Sequence, residues 1–148
     1  LKMYVDGDYL GDKLHLEEVG NVASRVSTNG EARRVLTEKM RAVGEDGGVV
    51  MEGRDVGTVV FPDAEMKFYL DASAAERAKR RVLQLKAAGE KADYDQILKL
   101  IEERDWRDSH RAVSPLKPAE DAVIIDTSKL NLQQVTDAVL EKIQHYAA

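Results

Sequence analysis

Two stretches of the chain carry residue types that could bind and orient a small charged ligand. Gly53-Arg54-Asp55-Val56-Gly57 is a glycine-punctuated turn presenting one guanidinium and one carboxylate. Arg104-Asp105-Trp106-Arg107-Asp108-Ser109-His110-Arg111 spaces its arginines so that Arg104, Arg107 and Arg111 can share one helix face. Planar guanidinium groups donate two parallel hydrogen bonds and so suit phosphate. Each charged hydrogen bond contributes roughly 1.5–3 kcal/mol, and an arginine at the transition state of phosphoryl transfer can be worth about 10³–10⁵ in rate. A carboxylate beside hydrogen-bonding side chains can read the edge of a nucleobase. The combination points to a nucleotide.

Each stretch also has a plainer reading. The arginine helix could be a solvated helix laced by salt bridges, with Asp105 and Asp108 answering the arginines. The Arg54-Asp55 turn could be structural, with a local ion pair. Arg77, Arg80 and Arg81 follow the same logic: Arg77 and Arg81 are four apart and could face one ligand, and a surface face is the alternative. His15, His110 and His145 show no ligand spacing, and no carboxylate–histidine set suggests a protein metal site. Trp106 reads as a packing anchor. No Gly-Lys dipeptide occurs in the chain, so there is no G-x-x-x-x-G-K-[ST] phosphate loop.

The elements that must position these residues follow from hydrophobic period and turn chemistry. Asp6-Gly7 between Lys2–Val5 and Asp8–Leu10 is a hairpin signal. Leu16 to Ser27 reads as a helix with Val19, Val22, Ala23 and Val26 on one side. After a break at Ser27-Thr28-Asn29-Gly30, Glu31 to Val43 reads as a second, with Ala32, Val35, Leu36 and Met40 in register. Val49-Val50-Met51 reads as a short buried strand running into the Gly53 turn. Ligands in parallel α/β sheets collect beyond such strand ends, and Gly53 and Gly57 would let backbone approach one. Met66 to Ala72 is a second strand, and Ser73-Ala74-Ala75-Glu76 is a capping box opening a helix to about Ala88. Asp93 caps the helix that carries the arginines, and Pro115 and Pro118 close that region. Ala122 to Asp126 is a strand nearly continuous in apolar residues, as a parallel sheet requires. Leu132 to Tyr146 is a last amphipathic helix, with Val135, Val139, Leu140 and Ile143 inward. Strand, helix and strand alternate, which argues α/β.

Composition narrows the classes. The 148 residues make one domain or most of one. A net charge of −5 argues against a general nucleic-acid binder, and locally clustered arginines on an acidic chain favour a small anionic ligand. There is no cysteine, hence no disulfide or thiolate metal site, which suits the cytoplasm. No stretch approaches a membrane span and no secretory signal opens the chain. The first residue is Leu1 within an apparent strand, which hints at upstream sequence.

From about Glu17 onward the chain resembles the bacterial cytidylate (CMP) kinases. The runs that carry the resemblance begin with Gly53-Arg54-Asp55-Val56-Gly57-Thr58-Val59-Val60-Phe61-Pro62-Asp63-Ala64 and Phe68-Tyr69-Leu70-Asp71-Ala72-Ser73. Glu103-Arg104-Asp105 through Asp108 to Arg111, Ser114-Pro115-Leu116-Lys117-Pro118-Ala119 and Asp121-Ala122-Val123-Ile124-Ile125-Asp126 complete it. The resemblance implies a P-loop nucleoside monophosphate kinase fold that moves the γ-phosphoryl of ATP to CMP or dCMP with Mg²⁺. It implies an insert at 1–43 that holds the monophosphate, a core at 44–148 and a mobile lid at about 83–95. By the same resemblance Arg54 and Asp55 fall on the base-recognition pair, and Ser24 and Arg33 on further cytosine contacts. Arg104 and Arg111 fall on the monophosphate-binding arginines, Asp108 on the carboxylate that recognises the sugar hydroxyls, and Arg77 and Arg81 toward the lid and ATP side.

The family's phosphate loop and first, central strand are not in this sequence. In a sheet of order 2-3-1-4-5, Val49–Met51, Met66–Ala72 and Ala122–Asp126 would be strands three, four and five, with a gap between the first two of these. Each buried unpaired ladder group costs roughly 1–3 kcal/mol. The α/β fold is therefore expected to be incomplete, and the chain to be a fragment without kinase activity of its own. Self-association or swapping is one expected response. A CMP-binding module without catalysis is the alternative function, and a fragment whose arginines serve only as salt-bridge partners is a third.

Overall fold

The computed structural model describes residues 4–11, 14 and 17–147. Lys2, His15 and Leu16 lie outside them, as does the start of the first expected strand. β1 (Tyr4–Val5) pairs antiparallel with β2 (Asp8–Tyr9). The turn between them has positive φ at both Asp6 (51°) and Gly7 (87°), the conformation that matches a tight hairpin to the twist of its strands.

Two helices follow, α1 (Glu17–Val26) and α2 (Gly30–Val43). Asn29 caps α2, its side-chain oxygen accepting from the Ala32 amide at 3.0 Å. The main α/β unit is β3 (Phe68–Asp71), α3 (Ala74–Ala87), α4 (Tyr94–His110), β4 (Val123–Asp126) and α5 (Leu132–Ala147). Ser73 accepts from Glu76 N at 3.2 Å and Asp93 from Gln96 N at 2.9 Å, so both expected caps start their helices. β3 and β4 run parallel, with Phe68 opposite Val123 and Asp71 opposite Asp126. Lys67 Nζ reaches Asp121 Oδ2 at 2.6 Å and also donates to the Pro62 carbonyl, which ties the starts of the two strands together.

Three expectations are corrected. Val49-Val50-Met51 is not a strand: no described strand pairs beside β3 other than β4. Nor is it buried, since Val49 is exposed and Val50 fully so. A strand needs a neighbour for its amides, and none of the described strands supplies one. The segment after the Gly53 turn is instead one π-helical turn, Val56–Val60, wound on the Asp55 carbonyl, which accepts from Val59 N at 2.8 Å. The third correction concerns α5, whose Leu140 and Ile143 are expected inward but are exposed. The apolar sides of α1 and α2 are exposed too, at Val19, Val22, Val26, Val35 and Leu36. An amphipathic stripe specifies a face to be covered, not the element that covers it.

Among the described residues the buried apolar side chains are Val60, Ala72 and Ala78. The accessible surface is 11106 Å², where a compact monomer of this size exposes about 7,600 Å². The buried polar and charged residues Ser24, Arg33, Asp55, Asp108 and Arg111 lie where α1, α2, the Arg54-Asp55 turn and the end of α4 meet.

Candidate functional site

Asp108 sits in the last turn of α4 and is 2% exposed. Its Oδ1 accepts from Ser24 Oγ of α1 at 3.0 Å. Its Oδ2 lies 3.2 Å from Arg54 Nε and 3.7 Å from Arg104 Nε, and Oδ1 lies 3.8 Å from Arg111 Nη1. The backbone is held as well, since Leu116 N donates to the Asp108 carbonyl at 2.8 Å. One carboxylate thus gathers guanidinium groups from the Gly53 turn, from α4 and from the residue that ends α4.

Arg33 of α2 and Asp55 form the second buried pair, Arg33 Nη2 donating to Asp55 Oδ2, with side-chain exposures of 10% and 7%. Arg41, two turns further along α2, donates to the Val59 and Val60 carbonyls at 2.6 and 2.9 Å. This pins the π-helical turn under α2 and fixes where Asp55 points. Gly53 is required for packing here, because a Cβ would meet Val56 Cγ2 at 2.8 Å.

Arg111 follows the last residue of α4 in extended backbone, and its side chain is 3% exposed. Nε donates to the Ser114 carbonyl at 2.6 Å and Nη1 to Ser27 Oγ at 2.9 Å. Burial pushes the Arg111 guanidinium below its ordinary value, and the neighbouring Arg33 charge adds to that; Asp108 and Asp55 act in the opposite direction. It remains a cation at neutral pH. Arg111 Nη2, Arg104 Nε and Arg33 Nε are buried with no hydrogen-bond partner among the described residues. Among the described residues, Arg33, Arg54, Arg104, Arg107 and Arg111 meet in this cluster around the carboxylates of Asp55 and Asp108, so guanidinium groups outnumber carboxylates there, on a chain whose net charge is −5. Such a cluster is suited to an anion of high charge density, and a phosphate monoester matches it.

The structure brings together Ser24, Arg33, Arg54, Asp55, Arg104, Asp108 and Arg111. Arg77 is engaged elsewhere: its guanidinium makes a bidentate contact with Asp105 at 3.0 and 2.5 Å, and its Nε donates to Ala72 O at 3.0 Å. The Asp105 contact holds the Arg77 guanidinium above its ordinary value. Arg81 lies one turn further along α3. The salt-bridge reading of α4 is thus partly realised: Asp108 answers Arg104 of the same helix as well as Arg54 and Arg111, while Asp105 answers Arg77 of α3. Trp106 is not a packing anchor. It is 66% exposed and stacks on His110 with ring centroids 4.9 Å apart. Two positions on a helix turn a side chain by about 200°, so Trp106 points away from the face that carries Asp108.

Sequence reasoning placed Arg107 on the arginine face without a partner, and passed over two further contributors. Arg107 Nη1 donates to Ser24 Oγ at 3.0 Å. Ser27, taken only as part of a helix break, contacts Arg111. Gly20 lies where α1 meets α4, and a Cβ there would come 3.3 Å from Arg104 Nη1, so the position borders the arginine cluster. The arginine spacing signalled Arg107; nothing local signalled Ser27 or Gly20, whose partners lie far along the chain.

A family model described as cytidylate kinase matches residues 1–145. The chain belongs to the cytidylate kinase family. It is 43% identical to a cytidylate kinase of Pasteurella multocida over 146 residues, 99% of this chain and 64% of that protein. It is 46% identical to one from Syntrophotalea carbinolica over 142 residues, 96% of this chain and 60% of that protein. A Pseudomonas aeruginosa cytidylate kinase is 45% identical over 139 residues, 94% of this chain and 61% of that protein. The chain therefore spans about three fifths of the length of these relatives. Among its described residues no helix is long and apolar enough to cross a membrane.

Proposed function

We propose that this chain is the acceptor-side portion of a cytidylate kinase, in which the parent enzyme moves the γ-phosphoryl of ATP to CMP or dCMP. The observation that carries the reading is the buried cluster around Asp108, with unsatisfied guanidinium nitrogens on Arg33, Arg104 and Arg111. Arg104 and Arg111 would neutralise the acceptor phosphate, which lets a negatively charged nucleophile approach the phosphoryl group. Asp55 would accept from the exocyclic amine of cytosine while Arg33 and Arg54 supply donors; Ser24 would donate to the base only by turning its single proton away from Asp108. Uracil presents an oxygen where cytosine presents the amine, and buried groups left unpaired discriminate strongly. Asp108 would take the sugar hydroxyls.

The assignment of residues 1–43 to a monophosphate-holding insert and of 44–148 to a P-loop kinase core belongs to the same proposal, as does a lid at about 83–95. α3 and α4 flank that lid, which fits Arg77 and Arg81 near the ATP side. Among the described residues no group of three or more acidic or histidine side chains is placed to hold a metal. The parent enzyme would take ATP with Mg²⁺, an ion commonly bound through one or two carboxylates together with substrate phosphates.

The 148 residues carry no Gly-Lys phosphate loop, so the chain alone is proposed to bind CMP without turnover. Sheet edges without a strand partner among the described residues, and the exposed Val49 and Val50, favour association with further chain or with a second copy. Calorimetry with CMP and UMP tests the site: CMP binding that exceeds UMP binding is expected, and equal or no binding rejects a preformed pocket. A coupled ADP-release assay on the same chain should show no turnover.

A further inference from the structure

Ser27 lies immediately after α1 and is positioned by its own backbone, Ser27 N donating to Ala23 O at 2.9 Å. A serine hydroxyl has one proton, and here it is given to the Ser24 carbonyl at 2.8 Å, one of the carbonyls left without a helical partner at the end of α1. The oxygen is thereby turned so that its lone pairs face Arg111, whose Nη1 donates to it at 2.9 Å. Asp108 is too far from Nη1 to replace this bond, at 3.8 Å. Together with the Nε–Ser114 carbonyl bond of 2.6 Å, the Ser27 contact fixes two edges of a planar group. The third nitrogen, Nη2, is buried without a partner among the described residues.

We infer that Ser27 is a positioning residue for phosphate recognition: it clamps the Arg111 guanidinium from the end of α1 so that Nη2 is presented to the acceptor phosphate. The inference rests on the monophosphate reading above and adds to it a residue from outside the arginine and base-reading motifs. Ser27 touches the arginine and not the nucleotide, so its effect is confined to the phosphate side of the site. The guanidinium also lies at the negative end of α1, where a cation is favoured, and the hydroxyl holds it there.

The test compares CMP with cytidine, which lacks the phosphate, by calorimetry on the chain carrying Ser27→Ala. Losing one hydrogen bond to a charged group should weaken CMP binding by about tenfold, leave cytidine binding within about twofold, and be restored by Ser27→Thr. A parallel loss for CMP and cytidine, or no loss for CMP, overturns the inference. A second measurement needs no nucleotide. In the unsubstituted chain, ¹⁵N exchange spectra should show slow rotation about the Arg111 Cζ–Nε bond, and Ser27→Ala should make it fast. Free rotation in the unsubstituted chain overturns the clamp even if Ser27→Ala does not fold. Absence of CMP binding with slow Arg111 rotation instead removes the monophosphate reading and leaves the clamp standing.

Discussion

Ser24 Oγ donates to Asp108 Oδ1 at 3.0 Å across 84 positions of sequence. This bond joins α1 to the end of α4, and the guanidinium groups of Arg54, Arg104 and Arg111 assemble around the same carboxylate. Removing that carboxylate leaves buried Arg111 facing the partly exposed Arg54 and Arg104 without a counter-charge from Asp108. Asp108→Ala should therefore lower unfolding free energy by about 3–5 kcal/mol, the range for stripping one partner from a buried ion pair. Urea unfolding followed by circular dichroism measures it, and a loss below about 1 kcal/mol is incompatible with the cluster described.

Arg111→Ala removes the guanidinium whose Nη2 lacks a partner among the described residues. CMP affinity should fall by about ten- to a hundredfold, the worth of one charged hydrogen bond, while cytidine affinity holds. Calorimetry with both ligands separates the outcomes, and unchanged CMP binding would mean that the arginines serve only as salt-bridge partners.

Asp55 pairs with Arg33 at the base-reading end. Asp55→Asn offers an amide that can donate to the uracil oxygen, so the ratio of CMP to UMP affinity should shrink by about tenfold or more. An unaltered ratio in competition binding would place base recognition elsewhere.

Lys67 and Asp121 give the acid limb of stability. The hydrogen bond from Lys67 holds the Asp121 carboxyl below its usual range, and Ser128 does the same for Asp126. A carboxyl lowered in the folded state stabilises it above the unfolded value, about 3.9. That contribution is lost as pH falls through the lowered folded value. Lys67→Met should therefore flatten the fall in thermal midpoint below about pH 4, where this carboxyl titrates. A profile identical to the unsubstituted chain would mean that the Lys67–Asp121 contact carries no stability.

Much of the fold was legible because its signals are local. Asp6-Gly7, Ser73 and Asp93 each act on backbone within three residues, and the turn and caps form as the sequence requires. Val49-Val50-Met51 was not legible. Its apolar run specifies a strand only where a neighbour offers hydrogen bonds, and the described residues offer none. Trp106 failed for a related reason: residue type suggests burial, but helix phase turns this ring away from Asp108.

The sequence by itself determined which residues could meet a nucleotide, because guanidinium and carboxylate chemistry and helical spacing are properties of the chain. Tertiary structure alone decided which of them share a site and which are held by something else. Arg77 faces Asp105 and Arg111 faces Ser27, although the two arginines look alike in sequence. The reason is that hydrogen-bond partners many tens of residues apart are chosen by how α1, α3 and α4 pack, and packing is a relation between elements that no local pattern contains.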